Sequence, residues 1–241
     1  MNTVIEGIVL KETPYSETSK IIQVLSKEYG LISIIAKGAS SIKSNLRSLT
    51  LPFLYAKMEI IYKKDKLSIL KGGRVIKLYG SGTNDLKLYA YMSYLSELSY
   101  KVLLENNNKE IFLILKSGFD KLSENFDYNV IKNIIEFKYL DYLGITPDLT
   151  ICHKCYERKK FYAIDGKIGG FVCKDCYQNE RLVSEKFPAI LNRFRDVDIN
   201  EIREIIISDE NKNIVNEFLS EYYSSFSAIY LNSEKFLKPF E

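Results

Sequence analysis

No stretch of this sequence stays apolar for the ~20 residues that a membrane-spanning helix requires. Met1 is not followed by a basic-then-apolar leader pattern, so the expected location is cytoplasmic, with no membrane partner. Tryptophan is absent, and His153 is the one histidine. That histidine stands between two cysteines, which leaves no material for a Ser–His–Asp catalytic set. No Gly-x-x-x-x-Gly-Lys-Ser/Thr loop occurs to cradle the phosphates of ATP. No carboxylate cluster suggests a two-metal nuclease. Internal repeats and low-complexity linkers are lacking as well. What is present is a 241-residue chain, 46% hydrophobic and rich in Tyr and Phe, long enough for one large domain or two to three small ones. The expectation is a binding protein, not an enzyme.

Only four cysteines occur, and all fall in one stretch: Cys152-His153-Lys154-Cys155, seventeen residues, then Cys173-Lys174-Asp175-Cys176. Two residues between cysteines let both thiolates reach one ion, and two such pairs complete a tetrahedral sulfur shell suited to Zn2+. Four cysteines leave no open position for water, so the site expected is a structural zinc, one per chain, not a catalytic one. A vestigial, metal-free module is one competing reading, and a redox pair is another, since Cys-x-x-Cys also serves thiol exchange. His153 reads as an exposed spacer. Gly166, Gly169 and Gly170 read as turn residues that help aim amides at the sulfurs.

Net charge is only +3, but it is unevenly spread. Residues 1–80 hold thirteen Lys and Arg against six Asp and Glu, or +7, which leaves −4 for the remainder. A basic end on a near-neutral chain suggests a polyanion partner there; a solvated lysine-rich surface is the bland alternative. The same residues carry five short β-branched runs: Val4–Lys11, Ile21–Leu25, Leu31–Lys37, Met58–Tyr62, and Leu67–Leu70 extending toward Leu78. Five strands in so short a span fit a small OB-like barrel. Residues 38–52 form a Ser-rich connection. Lys37, Lys43 and Arg47 along it could line a phosphate backbone, and Lys63, Lys64 and Lys66 crowd a hairpin loop. Tyr15, Tyr29, Phe53 and Tyr55 are aromatics that could stack on bases, although core packing is the commoner role of such residues.

Helices follow. Asp85 is positioned to cap one running from Leu86 to about Leu104, a second spans about Lys109 to Leu122, and a third follows Asp127 and stops at Gly144. Beyond the cysteines, helices are expected from Ser184 to about Phe194, from Ile199 to Ile207, and from Ile214 to Tyr230. The last should pack on the three earlier ones. The fold class is thus α+β and multi-domain: a five-stranded OB-fold barrel over residues 1–80, then a helical bundle over 81–241 with a four-cysteine zinc finger inserted at 148–180.

This order, together with several short stretches, resembles the RecO family of bacterial recombination mediators. The stretches are Tyr15-Ser16-Glu17-Thr18-Ser19-Lys20-Ile21, Tyr29-Gly30-Leu31, Ala36-Lys37-Gly38-Ala39, Leu51-Pro52-Phe53, Leu143-Gly144-Ile145-Thr146-Pro147 and Ser233-Glu234-Lys235-Phe236-Leu237. The resemblance implies binding of single- and double-stranded DNA and annealing of complementary strands. It implies action with RecR to load RecA on DNA coated by single-stranded-DNA-binding protein, in RecF-pathway repair and near the nucleoid. It makes Lys37, Lys43 and Arg47 basic positions on the DNA side of the barrel. Ser40 and Ser41 stand where the family often has arginines, so that DNA affinity is either lower or leans more on Lys63, Lys64 and Lys66. A zinc-containing protein-interaction adaptor and an RNA-binding factor are the alternatives.

Overall fold

The computed structural model describes residues 1–240. Five strands close a barrel in the order β1-β2-β3-β5-β4: β1 (Asn2–Pro14), β2 (Lys20–Ser26), β3 (Gly30–Ala36), β4 (Leu54–Ile61) and β5 (Ser68–Leu78). All neighbours are antiparallel except β3 and β5, which pair in parallel only at Ile34–Ser68 and Ile35–Ile69. This is the OB-fold arrangement. One long strand serves two neighbours: β1 pairs through Asn2–Ile8 with β4 and through Gly7–Pro14 with β2, turning at an irregularity between Val9 and Lys11.

Strand alternation turns Ile5, Val9, Ile22, Val24, Ile34, Met58 and Ile60 into a shared apolar core. The connection after β3 closes one end of the barrel. Ala39 and Leu49 are buried in that core and Leu46 packs against it, while Arg47–Thr50 form a single 3-10 turn. At the other end Tyr29 stacks on Tyr62 with centroids 4.2 Å apart.

Gly73, in β5, has φ 156° and passes close to β4; a Cβ there would stand 2.4 Å from the Lys57 carbonyl oxygen. Backbone cannot yield as a flexible side chain does. Gly73→Ala is expected to cost about 3 kcal/mol through strain and weakened β4–β5 pairing. Chemical denaturation of the purified variant checks this, and an unchanged midpoint would refute it.

Two compact units divide the described residues, 1–126 with 231–240 and 127–230. The first holds the barrel together with α1 (Leu86–Glu105) and α2 (Ile111–Ser123), which pack on each other and on β1. Asp85 caps α1 by accepting from Leu88 N at 3.0 Å. Asn107 reaches back to the β2–β3 turn, where its Oδ1 accepts from Leu31 N at 2.6 Å. The chain end returns to this unit. Glu97 of α1 accepts from Ser233 N at 2.8 Å and Ser233 Oγ at 2.6 Å, and Leu237 is buried. Burial opposes ionisation of Glu97, but the Ser233 and Asn232 donors outweigh it and hold the carboxyl below its ordinary range.

The second unit contains α3 (Tyr128–Leu143), a three-stranded sheet, α4 (Phe187–Asp196) and α5 (Asp209–Phe226). Asp127 caps α3 and Gly144 ends it in the left-handed conformation. The sheet has order β7-β6-β8, from β6 (Phe161–Asp165), β7 (Gly170–Cys173) and β8 (Arg181–Leu182). The last long helix packs on α3, with Tyr222 Oη donating to Ile145 O at 2.6 Å and Tyr223 Oη to Glu136 O at 2.9 Å. The helix expected over Ile199–Ile207 does not form; only Ile199–Glu201 make a 3-10 turn. Its β-branched isoleucines suit extended chain better, and just Ile199 and Ile202 find burial.

Candidate metal centre and basic surface

The four-cysteine site is built by two knuckles and a hairpin. The Sγ atoms of Cys152, Cys155, Cys173 and Cys176 all lie within 4.8 Å of one another. Sulfurs at ~2.3 Å from a tetrahedral Zn2+ stand about 3.8 Å apart, and the Cys155–Cys173 pair is at 4.0 Å. No disulfide joins any of them. Cys152 and Cys173 are buried and the other two half-buried. Burial works against ionising Cys152, yet backbone N–H groups of Cys155, Cys173 and Lys154 draw its thiol down to about 6. Cys176 is pushed up to about 12, first by its hydrogen bond with Cys173. The Cys152 thiolate is thus favoured and that of Cys176 resisted, and a bound cation would favour the thiolate form of its ligands. The quartet can hold a metal ion.

The surroundings depart from the simple reading of the neighbouring residues. His153 is not an exposed spacer: its ring packs on Gly170, where a Cβ would stand 2.5 Å from Nε2, and Nε2 lies 2.7 Å from Asp148 O. Gly170 therefore makes room for a ring. Gly166 instead lets the β6–β7 turn touch α5, where a Cβ would stand 2.4 Å from Phe218 O. Of the amides, Cys173 N approaches Cys152 Sγ at 3.3 Å.

Lys154 joins the knuckles. Its Nζ donates to Cys176 O at 3.2 Å and to Gln178 Oε1 at 2.9 Å, and pairs with the nearly buried Glu180. Glu180 also accepts from Gln178 N at 2.8 Å. Burial alone would raise the Glu180 carboxyl, but Gln178 and Lys154 draw it down to about 2. Lys154→Met leaves that carboxylate without its cation and frees the second knuckle. Metal affinity, read by chelator competition, is expected to fall about tenfold, the scale of an outer-shell ligand contact. Affinity equal to wild type would show that the clamp does not order the site.

Cations of the cysteine module are largely neutralised: Lys159 pairs with Glu157 and Asp175, Lys160 with Glu185, and Lys167 with Glu221. The barrel differs. Lys20, Lys27, Lys57 and Lys77 pair with Glu12, Glu6, Glu6 and Asp120. By contrast Lys37, Lys43, Arg47, Lys63, Lys64 and Lys66 are all exposed, and among the described residues their side chains have no ion pair.

These six fall into two groups. Lys37, Lys43 and Arg47 lie on the connection that follows the end of β3. Lys63, Lys64 and Lys66 lie in the β4–β5 turn beside Tyr62, which stacks on Tyr29 at the start of β3. The β3–β5 register puts Ser68, just after the second group, level with Ile34 near the end of β3. Lys71 and Arg74 of β5 are likewise exposed and without an ion pair. Lys71 stands two residues beyond Ile69, and Lys37 two beyond Ile35, the last pairing of β3 with β5. Sequence reading passed over both because they stand inside a strand; three residues apart, they share an outer face only because the β4–β5 register shifts beside Lys71.

The aromatics divide as well. Phe53 and Tyr55 pack against Phe119 and Phe112 of α2. Tyr15 is 60% exposed in the β1–β2 turn. No helix of the structure is long and apolar enough to cross a membrane.

Comparison with known proteins covers nearly the whole chain. Residues 1–79 match the family model described as recombination protein O N terminal, and residues 83–235 the one described as recombination protein O C terminal. A protein named DNA repair protein RecO from Bacillus pumilus is 31% identical over 240 residues, covering 98% of this chain and 93% of that one. Proteins of the same name from Bacillus velezensis and Bacillus subtilis are 30% and 29% identical over 245 residues, each covering 100% of this chain and 96% of theirs.

Proposed function

Because this chain belongs to the RecO family of DNA repair proteins, we propose that it binds single- and double-stranded DNA through its barrel and anneals complementary single strands. With RecR, it helps load RecA onto DNA coated by single-stranded-DNA-binding protein. Residues 1–80 are the nucleic-acid-binding part. Residues 81–241, with the module at 148–180, serve docking and architecture. Zn2+ is the metal for the four cysteines, one per chain.

The observation that carries this reading is the cluster Lys37, Lys43 and Arg47: exposed, on one connection, and free of ion pairs when four other barrel lysines are paired. Annealing requires two polyanions to approach. Each strand resists the other until its phosphates meet fixed cations and release condensed counterions. No bond is made or broken, so charge placement is the whole task. Lysines already paired with carboxylates would have to give up a partner to do it; these do not.

The test is annealing of two complementary labelled oligonucleotides, bare or coated with single-stranded-DNA-binding protein, with and without RecR. The expected result is faster annealing of both, with binding that weakens steeply in salt. Three to four phosphate contacts on a single strand give a slope of log K against log salt of about −2 to −3. A flat dependence, or unchanged annealing, would refute the reading. Preference for RNA in direct competition would replace it with an RNA-binding function.

A further inference from the structure

The connection that carries the three free cations also carries an apolar side chain that the fold leaves in water. Ile42 is 87% exposed. Its neighbours show that the connection turns apolar groups inward where it can, since Ala39 and Leu49 are buried in the barrel core and Leu46 packs on it. Successive turns fix the segment around Ile42: Ser41 N donates to Gly38 O, Ser44 N to Ser41 O and Arg47 N to Ser44 O, at 3.1–3.2 Å. A second turn lies beside the first. Ser40 N donates to Thr18 O at 2.9 Å, and Gly38 N to Ser19 Oγ at 3.4 Å. That β1–β2 turn presents Tyr15, 60% exposed and held by Tyr15 N donating to Ser19 O at 2.9 Å. Two exposed apolar groups thus stand on joined turns at the barrel end where Lys37, Lys43 and Arg47 lie. Glu17 is the acidic residue of this surface, and Lys20 and Glu12 cancel each other at its edge.

We propose that Tyr15 and Ile42 form an apolar contact for the unstacked bases of single-stranded DNA, a contact that a duplex does not engage. The inference rests on the DNA-binding reading above and adds to it which part of the DNA is touched. Cations recognise phosphates, which single strands and duplexes share. Only an unpaired base offers a ring face to an aromatic ring or an aliphatic wedge, and such contacts tolerate any sequence. Free cations flanking the apolar pair favour a polyanion with apolar faces over an apolar peptide. Holding bases unstacked and turned toward the protein also keeps a strand from folding on itself before its complement arrives.

The test uses the full chain and three labelled probes of equal length: an oligothymidine, an abasic strand with phosphates and sugars but no bases, and a duplex. Wild type is expected to bind the oligothymidine roughly tenfold more tightly than the abasic strand. The double variant Tyr15→Ser, Ile42→Ser is expected to lose about that factor on oligothymidine only. Its binding of the abasic strand and the duplex should match wild type, with the same salt slope. Ile42→Leu alone, which keeps an aliphatic wedge, should retain the preference. Equal binding of oligothymidine and abasic strand by wild type overturns the proposal and leaves phosphate binding intact. So does a double variant that binds all three probes as wild type does. If wild type binds none of the three, the DNA-binding reading itself has failed. Both side chains are exposed, so the thermal midpoint should not move; if it does, the wild-type comparison of the two strands decides.

Discussion

Reversing Lys37, Lys43 and Arg47 together to Glu is expected to weaken binding to single-stranded DNA by about a hundredfold or more near 0.1 M salt. The magnitude follows from counterion release. Each phosphate neutralised on a single strand contributes about 0.7 log unit per decade of salt, so giving up three of them at 0.1 M amounts to about two log units. Reversal adds repulsion to that deficit. The slope of log K against log salt should fall by about 2 at the same time. Stability should not change, because these side chains are exposed and make no ion pair. Binding isotherms at several salt concentrations, alongside a thermal melt, check both parts. Retained affinity with a retained slope would move the interface elsewhere. The companion reversal of Lys63, Lys64 and Lys66 probes the β4–β5 turn. A loss there comparable to the first would mean that DNA spans both groups, a path Lys71 could bridge.

Replacing Cys173 by Ser is expected to remove the metal altogether and to unfold the module around it. Cys173 is buried, and it supplies both a sulfur to the quartet and an N–H to Cys152 Sγ. Three sulfurs and a hydroxyl make a poor shell for Zn2+, and the binding energy of a structural zinc is folding energy. Elemental analysis should give about one zinc per chain for wild type and none for the variant. Hydrogen exchange should rise through Phe161–Cys176, while the barrel keeps its protection. The loss should stop short of the whole second unit. Phe161 stacks on Phe171 at 4.3 Å and Phe171 meets Phe187 edge-on, so the sheet has apolar support of its own. Acid should mimic the substitution, because protons compete with the metal for thiolates. DNA affinity of the variant should stay near that of wild type, since the free cations stand on the barrel. A variant that keeps as much zinc as wild type, or a wild type that carries none, would show that the quartet is not a metal site.

These expectations rest on features that differ in how they are written in the chain. The capped ends of α1 and α3 were legible because capping is local: Asp85 and Asp127 accept from backbone three residues on, and Gly144 takes the left-handed conformation, whereas α5 runs Asp209–Phe226 and not the expected Ile214–Tyr230. The strands of the barrel were legible from β-branched runs, with boundaries off by a few residues where β1 and β4 start earlier than the runs suggested. The cysteine quartet was legible because Cys-x-x-Cys spacing is itself ligand geometry. The segment Ile199–Ile207 forms only a 3-10 turn at its start, and little in the second unit covers its isoleucines.

What the chain determined by itself is its inventory: five strands, the capped helices, four sulfurs at chelating spacing, and a surplus of positive charge before residue 80. What only the tertiary structure decided is which of those charges are free. Lys57 and Lys77 look no different in sequence from Lys37 and Lys43, yet they meet Glu6 and Asp120, carboxylates 51 and 43 residues away, across strands and onto α2. It also sorted the helices, α1 and α2 to the barrel and α3 to the cysteine unit, and set Gly170 against the ring of His153. The physical reason is the same each time. Backbone propensity acts within a turn or a strand, whereas ion pairing and burial depend on which distant residue the chain brings alongside.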